Sequence, residues 1–267
     1  MSYLKIIRQV IKDNSLFYGL SMLSILSSQK FLRYPKNYVY QYNSRKIKKN
    51  VKMKYSADIS TGFAVFEIFG FCPYYSSKSG KIKFNICNDS TVCDIGAFIG
   101  DSAVFFGLQG AKVYSYEPQI KAFRLIEENL KLNGLKNVQL INTPVTFDGR
   151  ILSLDSNSDK ISDSFNTFTN TGDTKIKSIK FSDALKMERK WDLVKVDIEG
   201  GEWEILKDLC KNPRILKKIK GIVIEIHHPR KNRQILDKFV NLLRNNNFNV
   251  EVDAQNELGM LWAKRGN

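Results

Sequence analysis

The chain has 267 residues, a formal charge of +15, 43% hydrophobic and 12% aromatic residues, and four cysteines. That is apolar material for one α/β domain with an appendage or for two small domains, which excludes a polar disordered chain. The cysteines form no CxxC pair and no apolar run reaches the length of a bilayer-spanning helix, which argues against a disulfide scaffold and a helical membrane protein.

The charge is uneven. Residues 1–57 hold twelve Lys and Arg against Asp13 alone, so +11 of the +15 lies there. This divides the chain into a basic amphipathic extension, 1–57, and a domain, 58–267. Leu4, Ile7, Val10 and Ile11 share one helical face opposite Lys5, Arg8 and Lys12. Residues 16–26 are apolar, and 30–55 mix basic residues with Tyr34, Tyr38, Tyr40, Tyr42 and Tyr55. The preferred reading is a helical cap with a solvated basic face. Such a segment also suits peripheral contact with an anionic membrane, and nucleic acid is the weaker reading. The charged start lacks a secretory leader pattern, and the thiols read as buried in a reducing compartment, so a cytoplasmic protein is expected, with contact at the inner membrane face.

From residue 61 the pattern predicts a short helix (63–69), a loop through Pro73 and Gly80, and a strand over 81–87. A strand over 91–95 leads through a glycine turn into a helix from Asp101 to Leu108, with Gly110 as its cap. A strand over 112–116 precedes a helix over 120–132 that stops at Asn133-Gly134, and 138–141 is a third strand. Residues 142–175 are rich in Ser, Asn, Asp and Thr and read as an irregular insertion or hairpin. Strands follow over 176–181, 193–198 and 222–226, then helices over 202–209 and 234–245, and a closing hairpin of 248–252 and 260–264. Strands alternating with helices require a parallel sheet with right-handed crossovers, and the last two strands must run antiparallel. This is the Rossmann-like class I methyltransferase sheet, mostly parallel with a closing antiparallel hairpin, here behind an N-terminal helical basic extension. Ligands of such sheets sit beyond the carboxyl ends of the strands.

That rule gathers the candidate residues. Asp94, Gly96, Ala97, Phe98, Gly100, Asp101 and Ser102 form a strand–turn–helix corner with free N–H groups and a positive helix end. Glu117, before Pro118, ends the second strand where an acid can accept both hydroxyls of a ribose. Phe98 stands where a dinucleotide loop needs a second glycine, and Asp94 would repel a phosphate. A cationic nucleoside, S-adenosyl-L-methionine, fits better, with Asp94 towards its amino-acid end. Asn142 is a weaker candidate for the adenine edge.

The segments DIGAFIGDSAVFF, YSYEP, LVKVDIEGGEWEIL and IVIEIHH, in that order, resemble the FkbM family of S-adenosylmethionine-dependent methyltransferases over roughly residues 60–265. The family's turn is like DVGANIG, so Phe98 replaces an asparagine. The resemblance implies O-methylation of a sugar, glycan, glycolipid or other small acceptor. Strand alternation sends Lys195, Asp197 and Glu199 to one side. A sugar hydroxyl is a poor nucleophile and needs a base or a metal. Asp197, Glu199 and His227 are the catalytic candidates, with His228 beside them. Asp197, Glu199, Glu225 and a histidine could together hold a divalent ion, although the metal-free reading is preferred. Trp191 and Trp203 read as core. The alternatives are an RNA ribose methyltransferase and a non-catalytic membrane-surface module that keeps the fold.

Overall fold

A computed structural model describes residues 39–44, 47–54, 68–69, 73–154, 174–254 and 257–266. The expected helical face over 3–12, the apolar stretch 16–26 and most of the expected helix over 63–69 lie outside the described residues.

Seven strands form one sheet. They are β3 (Thr91–Ile95), β4 (Lys112–Tyr116), β5 (Val138–Ile141), β10 (Leu193–Val196), β11 (Gly221–His227), β12 (Phe248–Ala254) and β13 (Leu258–Arg265). Their order is β12-β13-β11-β10-β3-β4-β5. Neighbours from β5 to β11 pair in parallel, and β13 runs antiparallel to both β11 and β12. The reversed strand follows from the short link between β12 and β13.

Helices cover both faces. Alternate strand residues feed two cores, as a doubly covered parallel sheet requires. One core joins Val92, Val113, Leu193 and Val223 to α1 (Asp101–Leu108) and α2 (Ile120–Leu132). The other joins Ile95, Tyr116, Val196 and Ile224 to α3 (Phe181–Ala184), α4 (Glu202–Lys211) and α5 (Arg233–Asn245). Every residue of α1 is buried, which suits an apolar helix enclosed on all sides.

The basic extension departs from the helical reading. Its described part is an antiparallel hairpin of β1 (Val39–Ser44) and β2 (Lys49–Lys54). Val51 and Met53 are fully buried in the first core, while Asn50 and Lys52 are exposed. Apolar residues two apart suit a strand and would split across a helix. Asn129 on α2 and Asn133, the residue that caps its C-terminus one turn on, fasten β2 from the side. Asn129 Oδ1 accepts the Lys54 N–H at 2.6 Å and Asn133 Oδ1 the Lys52 N–H at 3.0 Å. The amides also donate to the two carbonyls, Asn129 to Lys54 at 2.9 Å and Asn133 to Lys52 at 2.6 Å. They stand in for a neighbouring strand.

Other boundaries shift for local reasons. Residues 81–87 alternate as a strand should, with Ile82 and Phe84 buried between exposed Lys81, Lys83 and Asn85. Their main chain finds only an isolated bridge, Ser76 to Lys83, so no strand forms. The strand expected over 176–181 splits into β8 (Thr174–Lys177) and β9 (Ile179–Lys180), because the chain changes partner at the buried Ser178: its N–H still reaches the Arg150 carbonyl at 3.0 Å, while the Ile179 N–H reaches the Pro144 carbonyl at 2.9 Å. β8 pairs antiparallel with β7 (Ile151–Leu154) and β9 in parallel with β6 (Val145–Thr146), so the insertion does contain a hairpin-like pair. A 3-10 segment, Pro213–Lys218, links α4 to β11 where no element was expected. No helix among the described residues is long and apolar enough to cross a membrane.

Candidate active site

The site begins with strand register. Lys195 on β10, Asp94 on β3 and Ser115 on β4 sit side by side across three strands. Partners in one row share a face. Lys195 Nζ lies 3.4 Å from Asp94 Oδ1, and Ser115 Oγ donates to Asp94 Oδ2 at 2.9 Å. Ser102, on the first turn of α1, donates to the same oxygen at 2.8 Å. Asp94 is fully buried and Lys195 is 2% exposed. Among the described residues Oδ1 has no hydrogen-bond partner, so Lys195 supplies its compensation as a charge. Asp94 thus sits enclosed below the turn, braced by the chain's own groups.

The turn passes directly over this row. Lys195 Nζ donates to the Gly96 carbonyl at 2.5 Å, and the N–H groups of Gly96 and Ala97 both reach the Tyr116 carbonyl, at 3.0 and 3.1 Å. Gly96, Phe98 and Gly100 all have positive φ, at 83°, 50° and 84°. A Cβ on Gly96 would lie 1.7 Å from the Asp197 carbonyl oxygen, and one on Gly100 would lie 2.8 Å from Ile126. Glycine is therefore required twice, once for contact with β10 and once for contact with α2.

Glu117 braces the turn from β4. Its Oε2 accepts the Phe98 N–H and its Oε1 the Gln119 N–H, both at 2.9 Å. Burial pushes its carboxyl up to about 7, against the pull of those two N–H groups. Burial also raises Asp101 to about 7, with Asp94 and Asp197 adding to the shift and Lys195 opposing it. Asn142 donates to the carbonyls of Glu117 and Pro118, at 2.8 and 3.0 Å, so its amide secures the corner that carries the acid.

The two buried acids make a pH prediction. Both fold with a carboxyl pKa above the unfolded one, so the folded chain keeps protons that the unfolded chain has released. Stability is greatest below the unfolded carboxylate range and falls as pH rises through about 7. Denaturant unfolding should show the wild type losing at least about 1 kcal/mol between pH 5 and 8, since each roughly tenfold gain in proton affinity on folding is worth about 1.4 kcal/mol. Glu117→Gln should flatten that slope.

The third group lies just past β10 and on the last residues of β11. Asp197 Oδ2 accepts the Tyr74 hydroxyl at 2.9 Å and lies 3.6 Å from Lys195 Nζ. The same hydroxyl reaches Glu225 Oε2 at 3.1 Å. Trp262 holds Tyr74 in place by donating to the Pro73 carbonyl at 2.5 Å. His227 Nε2 lies 3.2 Å from Glu199 Oε2 and 3.9 Å from Glu225 Oε1, while Nδ1 lies 3.2 Å from Glu202 Oε1. Burial would lower the imidazole pKa, but the bonds to Glu199 and Glu202 outweigh it and carry it to about 11. Candidate ligand atoms of Asp197, Glu225 and His227 lie within 4.8 Å of one another, close enough for one divalent ion to bridge.

Two expectations about this group need correction. β10 ends at Val196, not at residue 198, because Glu199 and Gly200 turn with φ of 51° and 104°. Alternation does place Lys195 and Asp197 together, but the turn, not alternation, carries Glu199 to His227. His228 turns away, with Nδ1 at 2.5 Å from Glu257. Phe98, Glu199 and His228, three of the five described non-glycine residues with positive φ, follow the ends of β3, β10 and β11. These positive-φ residues gather at the carboxyl edge of the sheet, where sheets of this kind bind their ligands.

Tyr74, Lys195 and Glu202 were missed as site residues. Lys195 had a signal: a lysine inside the apolar run Leu193–Val196 is costly to bury without a partner. Glu202 read only as an acid at a helix start, and Tyr74 lies in a segment with no regular pattern. Trp191 is core as expected, whereas Trp203, also buried, donates to the His227 carbonyl at 2.7 Å.

A cavity of about 280 Å³ opens beside the turn on the α4 side. Ile95, Gly96, Tyr116, Pro118, Val145, Ile198, Gly200 and Gly201 line it, with Arg150 and Glu204 paired at 2.8 Å among its walls.

Strand order, the reversed β13 and the glycine corner over β3 define a Rossmann-like class I methyltransferase fold. Residues 94–250 match the methyltransferase FkbM domain, and the chain belongs to that family. No curated protein matches the sequence. Among solved structures, precorrin-6y C5,15-methyltransferase from Geobacter metallireducens GS-15 is 16% identical with a TM-score of 0.41, the match covering 68% of this chain and 84% of that one. An rRNA methylase from Streptococcus thermophilus is 13% identical over 68% of this chain and 90% of its own, with a TM-score of 0.44. Aeropyrum pernix fibrillarin with bound S-adenosyl-L-methionine is 10% identical over 69% and 70%, with a TM-score of 0.42.

Proposed function

We propose that the chain is an S-adenosyl-L-methionine-dependent O-methyltransferase acting on a hydroxyl of a sugar, glycolipid or other small acceptor. The observation that carries this is convergence: the Gly96–Gly100 turn, Glu117 and the Asp197–His227 group meet at the carboxyl ends of four adjacent strands. The residues suit that cofactor. Each Glu117 oxygen accepts one N–H and so keeps capacity for a ribose hydroxyl. The cavity offers apolar walls from Ile95, Val145 and Ile198, and glycines at 96, 200 and 201 where a flat ring could approach the main chain. Asp94, Asp101, Asp197, Glu199 and Glu225 outnumber Lys195 and His227, which favours a cationic ligand.

S-adenosyl-L-methionine supplies an electrophilic methyl on a sulfonium. The chain must hold the acceptor oxygen in line and take its proton. His227 Nε2 has the position for this, facing Glu199 and Glu225. In the resting site the carboxylates hold the imidazole as a cation. A positive charge received among those same carboxylates weakens their hold on the proton and frees Nε2 as a base. Asp197, tied to Tyr74, is the second proton acceptor in reach.

Calorimetry with S-adenosylhomocysteine tests the cofactor. Wild type should bind, and Glu117→Ala should bind at least about tenfold more weakly, the loss of one charged hydrogen-bonding partner. Absence of binding, or binding unchanged in both Asp94→Ala and Glu117→Ala, defeats the reading. Methyl incorporation should favour a glycan or lipid extract over total RNA; the reverse would turn the assignment to RNA ribose. Exposed Lys48, Lys49 and Lys52 on the hairpin are consistent with anionic-membrane contact through residues 1–57.

A further inference from the structure

We infer that Glu202 is a positioning residue: it grips His227 by Nδ1 and leaves Nε2 as the nitrogen presented to the reacting groups. The inference rests on the reading of His227 as proton acceptor and adds the residue that sets which nitrogen does the work.

Glu202 is the first residue of α4 and is fully buried. Its Oε1 accepts the His227 main-chain N–H at 2.7 Å and meets Nδ1 at 3.2 Å. Its Oε2 accepts the Gly200 N–H at 2.7 Å. Both oxygens therefore already act as acceptors, so Nδ1 faces an acceptor and carries a hydrogen. The next residue, Trp203, donates to the His227 carbonyl. Two consecutive residues at the start of one helix thus clamp the histidine at its N–H, its carbonyl and one edge of its ring. Among the described residues, the opposite edge, Nε2, meets Glu199 and Glu225 at the crevice. A buried carboxylate behind a working imidazole fixes both ring orientation and tautomer.

The bond to Gly200 adds a second link. Gly200 follows Glu199 in the strained turn after β10, and Gly200 and Gly201 line the cavity. One side chain therefore fixes the histidine and the loop that brings Glu199 to it. An acid serving only the helix N-terminus would need neither the ring contact nor burial.

The chain has two histidines, so imidazole NMR with uniform ¹⁵N labelling can assign both, using His228→Asn to identify the second signal. The wild type should show an exchange-protected hydrogen on His227 Nδ1. Glu202→Gln keeps the side chain's length but can accept at one end only, so that signal should lose its protection or vanish. The kcat for methyl transfer should fall about ten- to a hundred-fold, with KM for the methyl donor changing less than about threefold. A wild-type Nδ1 with no protected hydrogen, or an unchanged Nδ1 signal in folded Glu202→Gln, overturns the inference. The wild-type spectrum needs neither a methyl donor nor an acceptor, so failure of the O-methyltransferase reading would appear in the calorimetry and leave this result standing on its own.

Discussion

Gly96→Ala is expected to cost more than about 4 kcal/mol and to abolish S-adenosylhomocysteine binding, an effect of the size reserved for severe packing or backbone conflicts. Two costs combine. The residue sits at φ 83°, where an L side chain pays about 1–2 kcal/mol. Its Cβ would also lie 1.7 Å from the Asp197 carbonyl oxygen, which is main chain and cannot rotate aside. Relief requires parting the ends of β3 and β10, and those ends carry Asp94, Lys195 and Asp197. Gly134→Ala is the control. That glycine has φ 63° and nothing within 4 Å of a Cβ, so it carries the backbone cost alone and should lose about 1–2 kcal/mol. Denaturant unfolding of both variants compares the two costs. Equal losses would show that the approach of Asp197 contributes nothing.

The parts of the fold that were legible are those written in local pattern. The helix over 101–108 is an apolar run and that over 120–132 has an apolar period; each has a stop signal, Gly110 and Asn133-Gly134, and both begin and end as expected. The strands over 91–95, 112–116 and 138–141 are short apolar runs between such helices. The β1–β2 hairpin was less legible because its basic, tyrosine-rich composition masked the two-residue alternation that buries Val51 and Met53. Its fastening to Asn129 and Asn133 spans about 80 positions of sequence and has no local sign.

The site divides in the same way. Asp94, Glu117, Asp197 and His227 could be found because the carboxyl ends of parallel strands are where such sheets bind ligands. What joins them could not. That Lys195 faces Asp94 depends on the register of β10 against β3, set by strands about 100 positions apart. That Glu202 reaches His227 depends on where α4 packs against β11. Tyr74 enters from a segment whose described residues form one isolated bridge, Ser76 to Lys83. Chemistry was legible residue by residue, and its connections were a product of the fold.

Lys195→Met is the sharpest test of those connections. The lysine is 2% exposed, with its ammonium 3.4 Å from Asp94 Oδ1, 3.6 Å from Asp197 Oδ2 and 4.9 Å from the centre of the Tyr74 ring. Burial alone would strip its proton, but Asp94 and Asp197 hold the charge and raise its pKa above the ordinary lysine value. Methionine preserves shape and removes the charge, which leaves Asp94 buried with two serine hydroxyls and no cation. Breaking one side of a buried ion pair costs about 3–5 kcal/mol, and that loss is expected by denaturant unfolding. Asp94→Asn alone should also destabilise, since it leaves the buried ammonium with Asp197 as its one close carboxylate among the described residues. The double variant should recover most of the stability, because a neutral amide beside methionine leaves no uncompensated charge at the centre of the sheet. The coupling energy from this cycle should exceed about 1 kcal/mol. Additive losses would mean that Lys195 serves Asp197 and the Gly96 carbonyl and that Asp94 is satisfied without it. Stability and function should then separate. If the cation's task is to keep Asp94 beneath the turn, the double variant regains its fold and binds S-adenosylhomocysteine. If Lys195 also sets the charge around Asp197, methyl transfer stays low while binding returns.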